Sequence, residues 1–337
     1  MTDGASLRWG VVGTGDVSRS IASDLRLLDP AGLAATCSRS VGRARDLANE
    51  FGFQHAHGSI EEFLADDAVD IVYIGTPHST HADLAIRALQ AGKHVLIEKP
   101  LGISEADVQR VADVARSAGR FVMEGMWMKF HPYYRAMLDD VRAGSIGQVT
   151  SIRAYFGLPF GPRDSPRWSP ELASSTLLDQ GIYPVTLAFD VFGEPTSVRA
   201  SADVRHDGID LADEATLGFG DGRYAHIGAS MVGYLEPSAS LSGTAGWMTV
   251  PAPFWAADRY TRHSGDIGEA LMSPTTVAFE REGHGYVPML RAVAEAIAEG
   301  RLEHPIHPLS SSIAVARILD SIRAAAAAPS TTTETHS

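Results

Sequence analysis

Leu7-Arg8-Trp9-Gly10-Val11-Val12-Gly13-Thr14-Gly15-Asp16-Val17 joins a short apolar run to two glycines, and a helical pattern follows over 17–28. A run of this length and composition reads as a buried strand. Gly13 permits a tight turn, and Gly15 lets the backbone approach a pyrophosphate at the N-terminus of the next helix. The third glycine of the usual dinucleotide fingerprint is replaced by Ser18. Two glycines in a loop are weak on their own. Their weight comes from their place at the first strand-to-helix turn of an alternating chain.

That alternation continues outward. Strands are predicted over 33–37, 69–74, 94–97 and 120–124, with helices over 40–51, 79–91 and 104–118 between them. Strand and helix in strict succession imply a parallel, doubly wound Rossmann sheet with its ligand chemistry at the carboxyl ends of the strands. From Trp127 the pattern changes. Segments 149–156, 196–204, 214–219, 225–232, 239–243 and 247–250 alternate apolar and polar residues between Gly-, Pro- and Asp-rich turns, with helices over 131–143, 177–192, 285–299 and 310–328. The expected architecture is α/β. A dinucleotide-binding domain spans 1–126. A substrate-binding and oligomerisation α+β domain with an open, mostly antiparallel sheet spans 127–329. A polar, Thr-rich tail over 330–337 reads as disordered.

Composition narrows the function. The 337 residues are 45 % hydrophobic and 20 % charged, an ordinary globular balance. The formal net charge is −13, which argues against nucleic acid as a partner. The single cysteine, Cys37, rules out an internal disulfide or a Cys-x-x-Cys site. No signal peptide and no uninterrupted apolar run of ~18 residues are visible, so a cytoplasmic protein without membrane contact is expected.

The second strand selects the cofactor. An NAD site usually places Asp or Glu ~20 residues beyond the glycines, on the ribose hydroxyls. Here the sequence is Cys37-Ser38-Arg39, with Arg43 four residues later. Arg39 and Arg43 suit a 2′-phosphate, and Ser38 adds a hydrogen bond, so NADP(H) is expected over NAD(H).

Glu98-Lys99-Pro100, closing the strand 94–97 after a Gly-x-Gly fold, resembles the Gfo/Idh/MocA oxidoreductases. The segments Glu124-Gly125-Met126-Trp127-Met128-Lys129-Phe130-His131-Pro132 and Leu177-Leu178-Asp179-Gln180-Gly181-Ile182-Tyr183-Pro184 are similar to the family's dimeric dihydrodiol and NADP-dependent D-xylose dehydrogenase branch. So are Gly285-Tyr286 and His307-Pro308-Leu309-Ser310. One departure stands out: Ser174-Ser175 occupies the place of the branch's Gly-Gly.

The residue types supply a chemistry. Hydride reduction of a carbonyl needs a proton donor at the developing alkoxide, and the reverse reaction needs a base. Tyr183 serves both ways if a neighbouring ammonium lowers its pKa from ~10. Lys99 is the candidate ammonium. Asp179, four residues before Tyr183 on a helix, would share its face and orient the lysine or the phenol. The resemblance assigns catalysis to Lys99 and Tyr183 with Asp179 in support, and places Thr76, Pro77 and His81 along the cofactor. The expected cofactor contacts are therefore Gly13, Gly15, Asp16, Val17, Ser38, Arg39, Arg43, Thr76, Pro77, His81, Glu98 and Lys99. Trp127, Phe156, Phe160, Arg163 and Trp168 are expected to wall the substrate pocket, the last three within a Pro-rich loop over 158–170 placed to act as a lid.

No metal set is expected. His78-x-x-His81 lacks a carboxylate or thiol cluster, and His55-x-His57 and His304-x-x-His307 read as surface residues. The combined expectation is an NADP(H)-dependent dehydrogenase of a small polyol, aldose or dihydrodiol. It would form a homodimer through an apolar open sheet face. A non-catalytic dinucleotide- or sugar-sensing regulator, and a glycosidase using transient oxidation by NAD, are the alternatives.

Overall fold

The computed structural model describes residues 7–161 and 166–328. Its first sheet is built from β1 (Trp9–Val12), α1 (Asp16–Leu28), β2 (Leu33–Cys37), α2 (Val41–Phe51), β3 (His55–His57), α3 (Ile60–Leu64), β4 (Ile71–Ile74), α4 (His81–Gln90), β5 (His94–Glu98), α5 (Glu105–Ala118) and β6 (Val122–Gly125). The six strands run parallel in the order β3-β2-β1-β4-β5-β6. Helices cover both faces, so β1, β2, β4 and β6 are buried along their whole length. Local signals set the helix ends. Ser40 and Ser104 accept backbone N–H bonds as N-caps of α2 and α5, and Gly52 and Gly119 close those helices in the left-handed conformation. β3 escapes the sequence reading because three residues rich in histidine carry no apolar run, and α3, at five residues, is too short to show a helical period.

The second sheet follows α6 (Pro132–Arg142). Its elements are β7 (Val149–Gly157), α7 (Ile182–Phe192), β8 (Ser197–Val204), β9 (Asp210–Gly218), β10 (Tyr224–Ser230), β11 (Ala239–Gly243), β12 (Gly246–Val250), β13 (Arg259–Ser264), α8 (Ile267–Met272), β14 (Thr275–Ala278), α9 (Val287–Ala298) and α10 (Leu309–Ala327). The eight strands lie in the order β14-β13-β12-β11-β7-β10-β9-β8, antiparallel except for β7 against β10. α7, apolar all round, is buried across β7 and β10. α10 packs on β8, α5 and α7, and so ties the two sheets together. A single apolar cluster runs from Val11 and Ile21 through Met126 and Tyr133 to Ile152 and Leu241.

The fold class is as expected, with differences of detail. β9 begins at Asp210 rather than 214, and β13, α8 and β14 were not foreseen. The open sheet face mixes polar residues with Tyr155, Tyr224 and Trp247 rather than being uniformly apolar. Arg153, His226, Thr216 and Ser240 are paired in register across four strands of it, and Trp247 is stacked on His263 with centroids 4.4 Å apart. The segment 330–337, read as a disordered tail, lies outside the described residues. Among the described residues no helix is long and apolar enough to cross a membrane.

Candidate active site

The turn between β1 and α1 is backbone-built. Gly13 has φ +105°, and a Cβ there would lie 2.3 Å from the Gly75 carbonyl oxygen. Ser18, in the place of the third glycine, is buried and donates to the same carbonyl at 3.4 Å. Gly15 caps α1 with no side chain, and open space surrounds the position of its missing Cβ. The amides of the first helical turn therefore face the crevice, flanked by exposed Asp16 and half-buried Val17. At the end of β2, Ser38 is buried, whereas Arg39 and Arg43 are exposed. Neither guanidinium has a carboxylate partner among the described residues. Cys37 is buried, and burial pushes its thiol up to about 11, so it stays protonated.

β5 delivers Glu98 and Lys99 to the same crevice, and the Lys99–Pro100 peptide is cis. Lys99 Nζ donates to the Asp179 carbonyl oxygen at 2.7 Å and also to its carboxylate. Asp179 lies in a π-helical turn, Leu177–Gly181, that precedes α7. This corrects the regular-helix expectation: the widened turn presents both the carbonyl and the carboxylate of Asp179 to one ammonium. Burial works to raise the Asp179 pKa, but Lys99, His78 and Arg167, the last at 3.7 Å, hold it down at about 2. Burial pushes Glu98 up to about 7 although the Tyr73 hydroxyl donates to it at 2.9 Å.

Tyr183 projects from α7 beside this pair. Lys99 Nζ lies 5.2 Å from its ring centroid, and Trp127 Nε1 donates to its hydroxyl at 2.8 Å. The expectation that Lys99 lowers the phenol is not met. Burial and the negative charges of Glu98 and Asp179 hold it well above its ordinary value, while Asp179 neutralises the lysine.

Two adjoining cavities meet at these residues. One of about 230 Å³ is lined by Val17, Thr76, Pro77, His81, Glu98 and Lys99, together with His78, Leu172 and Ser174. The other, about 330 Å³, is lined by Trp127, Phe156, Phe160 and Tyr183, together with Arg167, Gln180, Trp255 and Tyr286. Trp255 stacks on Phe156 and Tyr286 stacks on Trp127, giving the second cavity two aromatic walls. Arg167 was missed although it lies in the same Pro-rich loop as Arg163; its guanidinium sits over Phe160 at 4.7 Å. Nothing in the sequence singles out Trp255, and only the Gly285-Tyr286 pair pointed to Tyr286.

Other predicted residues are placed elsewhere. Trp168 does not line either cavity; it is buried against Ile209 and Met231. Arg163 lies outside the described residues. His81 uses both ring nitrogens on backbone carbonyls, Pro100 and Thr76, each at 2.7 Å. Burial lowers His78 to about 3, so it is neutral. His307, read as a surface residue, is instead buried, with its Nε2 2.9 Å from Glu124, which also accepts from Ser312 at 2.7 Å. His57 is half-buried, leaving His55 as the exposed member of that pair.

Two family models match the chain. The model described as "Oxidoreductase family, NAD-binding Rossmann fold" matches residues 7–126, and that of the GFO/IDH/MocA C-terminal domain matches residues 134–249. Trans-1,2-dihydrobenzene-1,2-diol dehydrogenase of Macaca fascicularis is 32 % identical over 328 residues, covering 95 % of this chain and 97 % of that protein. The Homo sapiens protein of the same name is 32 % identical over 327 residues, with the same coverage. Among solved structures, a 3-ketoreductase from Actinomadura kijaniata in complex with NADP and TDP-benzene superposes with a TM-score of 0.83 at 26 % identity, covering 95 % of this chain and 98 % of that one. The aldose-aldose oxidoreductase of Caulobacter crescentus, with a TM-score of 0.85 at 23 % identity and coverage of 96 % and 98 %, shares the fold.

Proposed function

The chain belongs to the Gfo/Idh/MocA oxidoreductase family, and from that membership we propose that it is an NADP(H)-dependent dehydrogenase acting on the CH–OH group of a small polyol, aldose or dihydrodiol. The observation that carries this reading is the cluster of Lys99, Asp179, Tyr183 and Trp127 where the two cavities meet.

The dinucleotide fits the residues present. The uncapped N-terminus of α1 at Gly15 suits a pyrophosphate, and the open space where Gly15 lacks a Cβ lets the backbone approach it. Arg39 and Arg43, without a carboxylate partner among the described residues in a chain of net charge −13, suit the extra 2′-phosphate of NADP, with Ser38 beside them. Asp16, Val17, Thr76, Pro77, His81 and Glu98 continue the cofactor cleft toward Lys99. The bound nicotinamide supplies or takes the hydride.

The rest of the chemistry belongs to the chain. Tyr183 receives the Trp127 N–H at its oxygen, so its own proton is free to point into the cavity. Its raised pKa keeps the phenol protonated near neutral pH, as a donor to a developing alkoxide must be. The Trp127 N–H at that oxygen then stabilises the phenolate as it forms, while Lys99, its charge largely balanced by Asp179, holds its position beside the ring. In the oxidative direction that phenolate takes the alcohol proton. Asp179 fixes the lysine by its carbonyl and its carboxylate. The aromatic walls of Trp127, Phe156 and Phe160 suit the apolar face of a sugar or a flat diol.

We further propose a homodimer through the second sheet's open face, its ordered polar rows supplying the complementarity, and a cytoplasmic setting. The function is tested by following absorbance of the reduced nicotinamide with NADP⁺ or NAD⁺ against D-xylose, other aldoses and a trans-dihydrodiol. Turnover preferring NADP⁺ is expected. Saturable NADP⁺ binding with no turnover on the whole panel would replace this reading with a sensing regulator.

A further inference from the structure

We propose that His55, His57 and Asp66 form a binding site for one divalent cation of the late first row, such as Zn²⁺, on the outer edge of the parallel sheet. The two histidines stand two residues apart on β3, so their side chains leave the strand on the same side. They converge on one atom: His55 Nδ1 lies 2.6 Å and His57 Nε2 2.9 Å from the same Asp66 Oδ2. The three donor atoms all lie within 4.8 Å of one another.

The surroundings hold this set in place. The other carboxylate oxygen, Asp66 Oδ1, is committed to the Ala68 N–H at 2.9 Å, which fixes Oδ2 toward the imidazoles. The Lys93 ammonium is spent on the carbonyls of Asp66 and Val69, at 2.9 and 2.8 Å, and makes no bond to the carboxylate. Phe63 backs the His57 ring edge-on at 6.0 Å. Two imidazoles and one carboxylate are a donor set for Zn²⁺ and its neighbours, whereas Mg²⁺ and Ca²⁺ favour oxygen donors. Ligand distances of ~2.0–2.2 Å require only a small opening of the present contacts. Each neutral imidazole then carries its proton on the opposite ring nitrogen. His55 is half exposed, which leaves water access to the remaining coordination positions.

This site is separate from Lys99, with β2, β1 and β4 lying between β3 and β5. It is joined to the segment bearing Arg39, because the His57 carbonyl accepts the Ser38 N–H at 3.2 Å. A bound cation would therefore brace β3 beside the turn that carries Ser38 and Arg39.

The test uses the tag-free full chain after chelator dialysis. Zn²⁺ binding is measured by calorimetry, bound metal is counted after gel filtration, and Co²⁺ is titrated for its visible ligand-field bands. One equivalent is expected, with affinity reduced about tenfold or more in His57→Ala and in His55→Gln, and the Co²⁺ bands lost in both. His55→Gln alters an exposed side chain, so it remains informative if His57→Ala fails to fold. Failure of the wild-type chain to bind Zn²⁺, or equal binding by the wild type and His55→Gln, overturns the proposal. Neither result depends on the NADP-linked activity.

Discussion

Lys99 and Tyr183 are neighbours that share no hydrogen bond: the ammonium lies 5.2 Å from the ring centroid, while Asp179 holds the lysine and Trp127 holds the phenol oxygen. Each group has its own support, so the pair keeps its geometry without a direct link. The lysine's positive charge is largely balanced by Asp179, and Tyr183 is left a neutral phenol.

Removing the proton donor should therefore separate chemistry from binding. Tyr183→Phe is expected to cut turnover by ~10²–10⁴-fold, the usual contribution of a positioned acid or base. NADP binding, followed by fluorescence quenching, should stay near the wild-type value. Lys99→Ala should also abolish turnover, and it removes the nearer of the two cations at the Asp179 carboxylate, leaving Arg167 at 3.7 Å, so its melting temperature should fall as well. Adding Asp179→Asn to Lys99→Ala should recover part of that loss, because the poorly compensated charge is gone. Near-normal turnover in either single variant refutes the assignment.

Arg39→Ala should raise the Michaelis constant for NADP⁺ by roughly 10–100-fold while leaving that for NAD⁺ nearly unchanged. One or two charge-assisted hydrogen bonds of ~1.5–3 kcal/mol are lost only when a 2′-phosphate is present. Raising the salt concentration should narrow the gap between the cofactors in the wild type more than in the variant. Equal effects on both cofactors would show that Arg39 does not touch the phosphate.

Much of the fold was legible because its signals are local. The apolar runs of β1, β4 and β5 and the serine caps and closing glycines of α2 and α5 are contained within a few residues. β3 was not legible, since an edge strand of three residues needs no apolar run. The Glu98-Lys99-Pro100 motif marked the crevice, but the partners of its residues come from far along the chain. Trp255 reaches the cavity through the loop after β12, and His307 becomes buried only because Glu124 and Ser312 meet it. The start of the π-turn at Leu177–Gly181 is likewise held from far along the chain, by the Asp210 carboxylate that accepts the Leu177 N–H. A spacing of four residues predicts the side of a helix, not the width of its turn.

Gly13→Ala should disable the chain at the first turn. The added Cβ would meet the backbone oxygen of Gly75 at 2.3 Å, and alanine at φ +105° is strained before any contact is counted. A loss of at least about 1–3 kcal/mol is expected from the conformation alone, read as a lower melting temperature together with loss of NADP-induced stabilisation. An unchanged melt with full NADP stabilisation would show that the turn relaxes freely.

Asp213 gives a pH dependence of defined sign. It is buried beneath the π-turn, its Oδ2 has no hydrogen-bond partner among the described residues, and burial followed by the neighbouring Asp210 charge pushes its pKa up to about 9. Asp210 is itself occupied, accepting from Ser175 Oγ at 3.0 Å and from the Leu177 N–H at 2.7 Å. In the unfolded chain an aspartate titrates near ~3.9. Between these values the native state keeps a proton that the unfolded chain has released. The group's contribution to stability is thus complete below the unfolded pKa and falls as pH rises toward 9. Asp213→Asn keeps a neutral side chain of the same shape and removes this dependence. Its advantage over the wild type should be small at pH 4 and should grow to about 1 kcal/mol or more by pH 8. Asp179, held at about 2, has the opposite sign, while Glu98, raised by burial to about 7, has the same sign and is common to both proteins, so the difference between wild type and variant isolates Asp213. Thermal melts of both proteins from pH 4 to 9 give the comparison, and parallel curves across that range would refute the assignment.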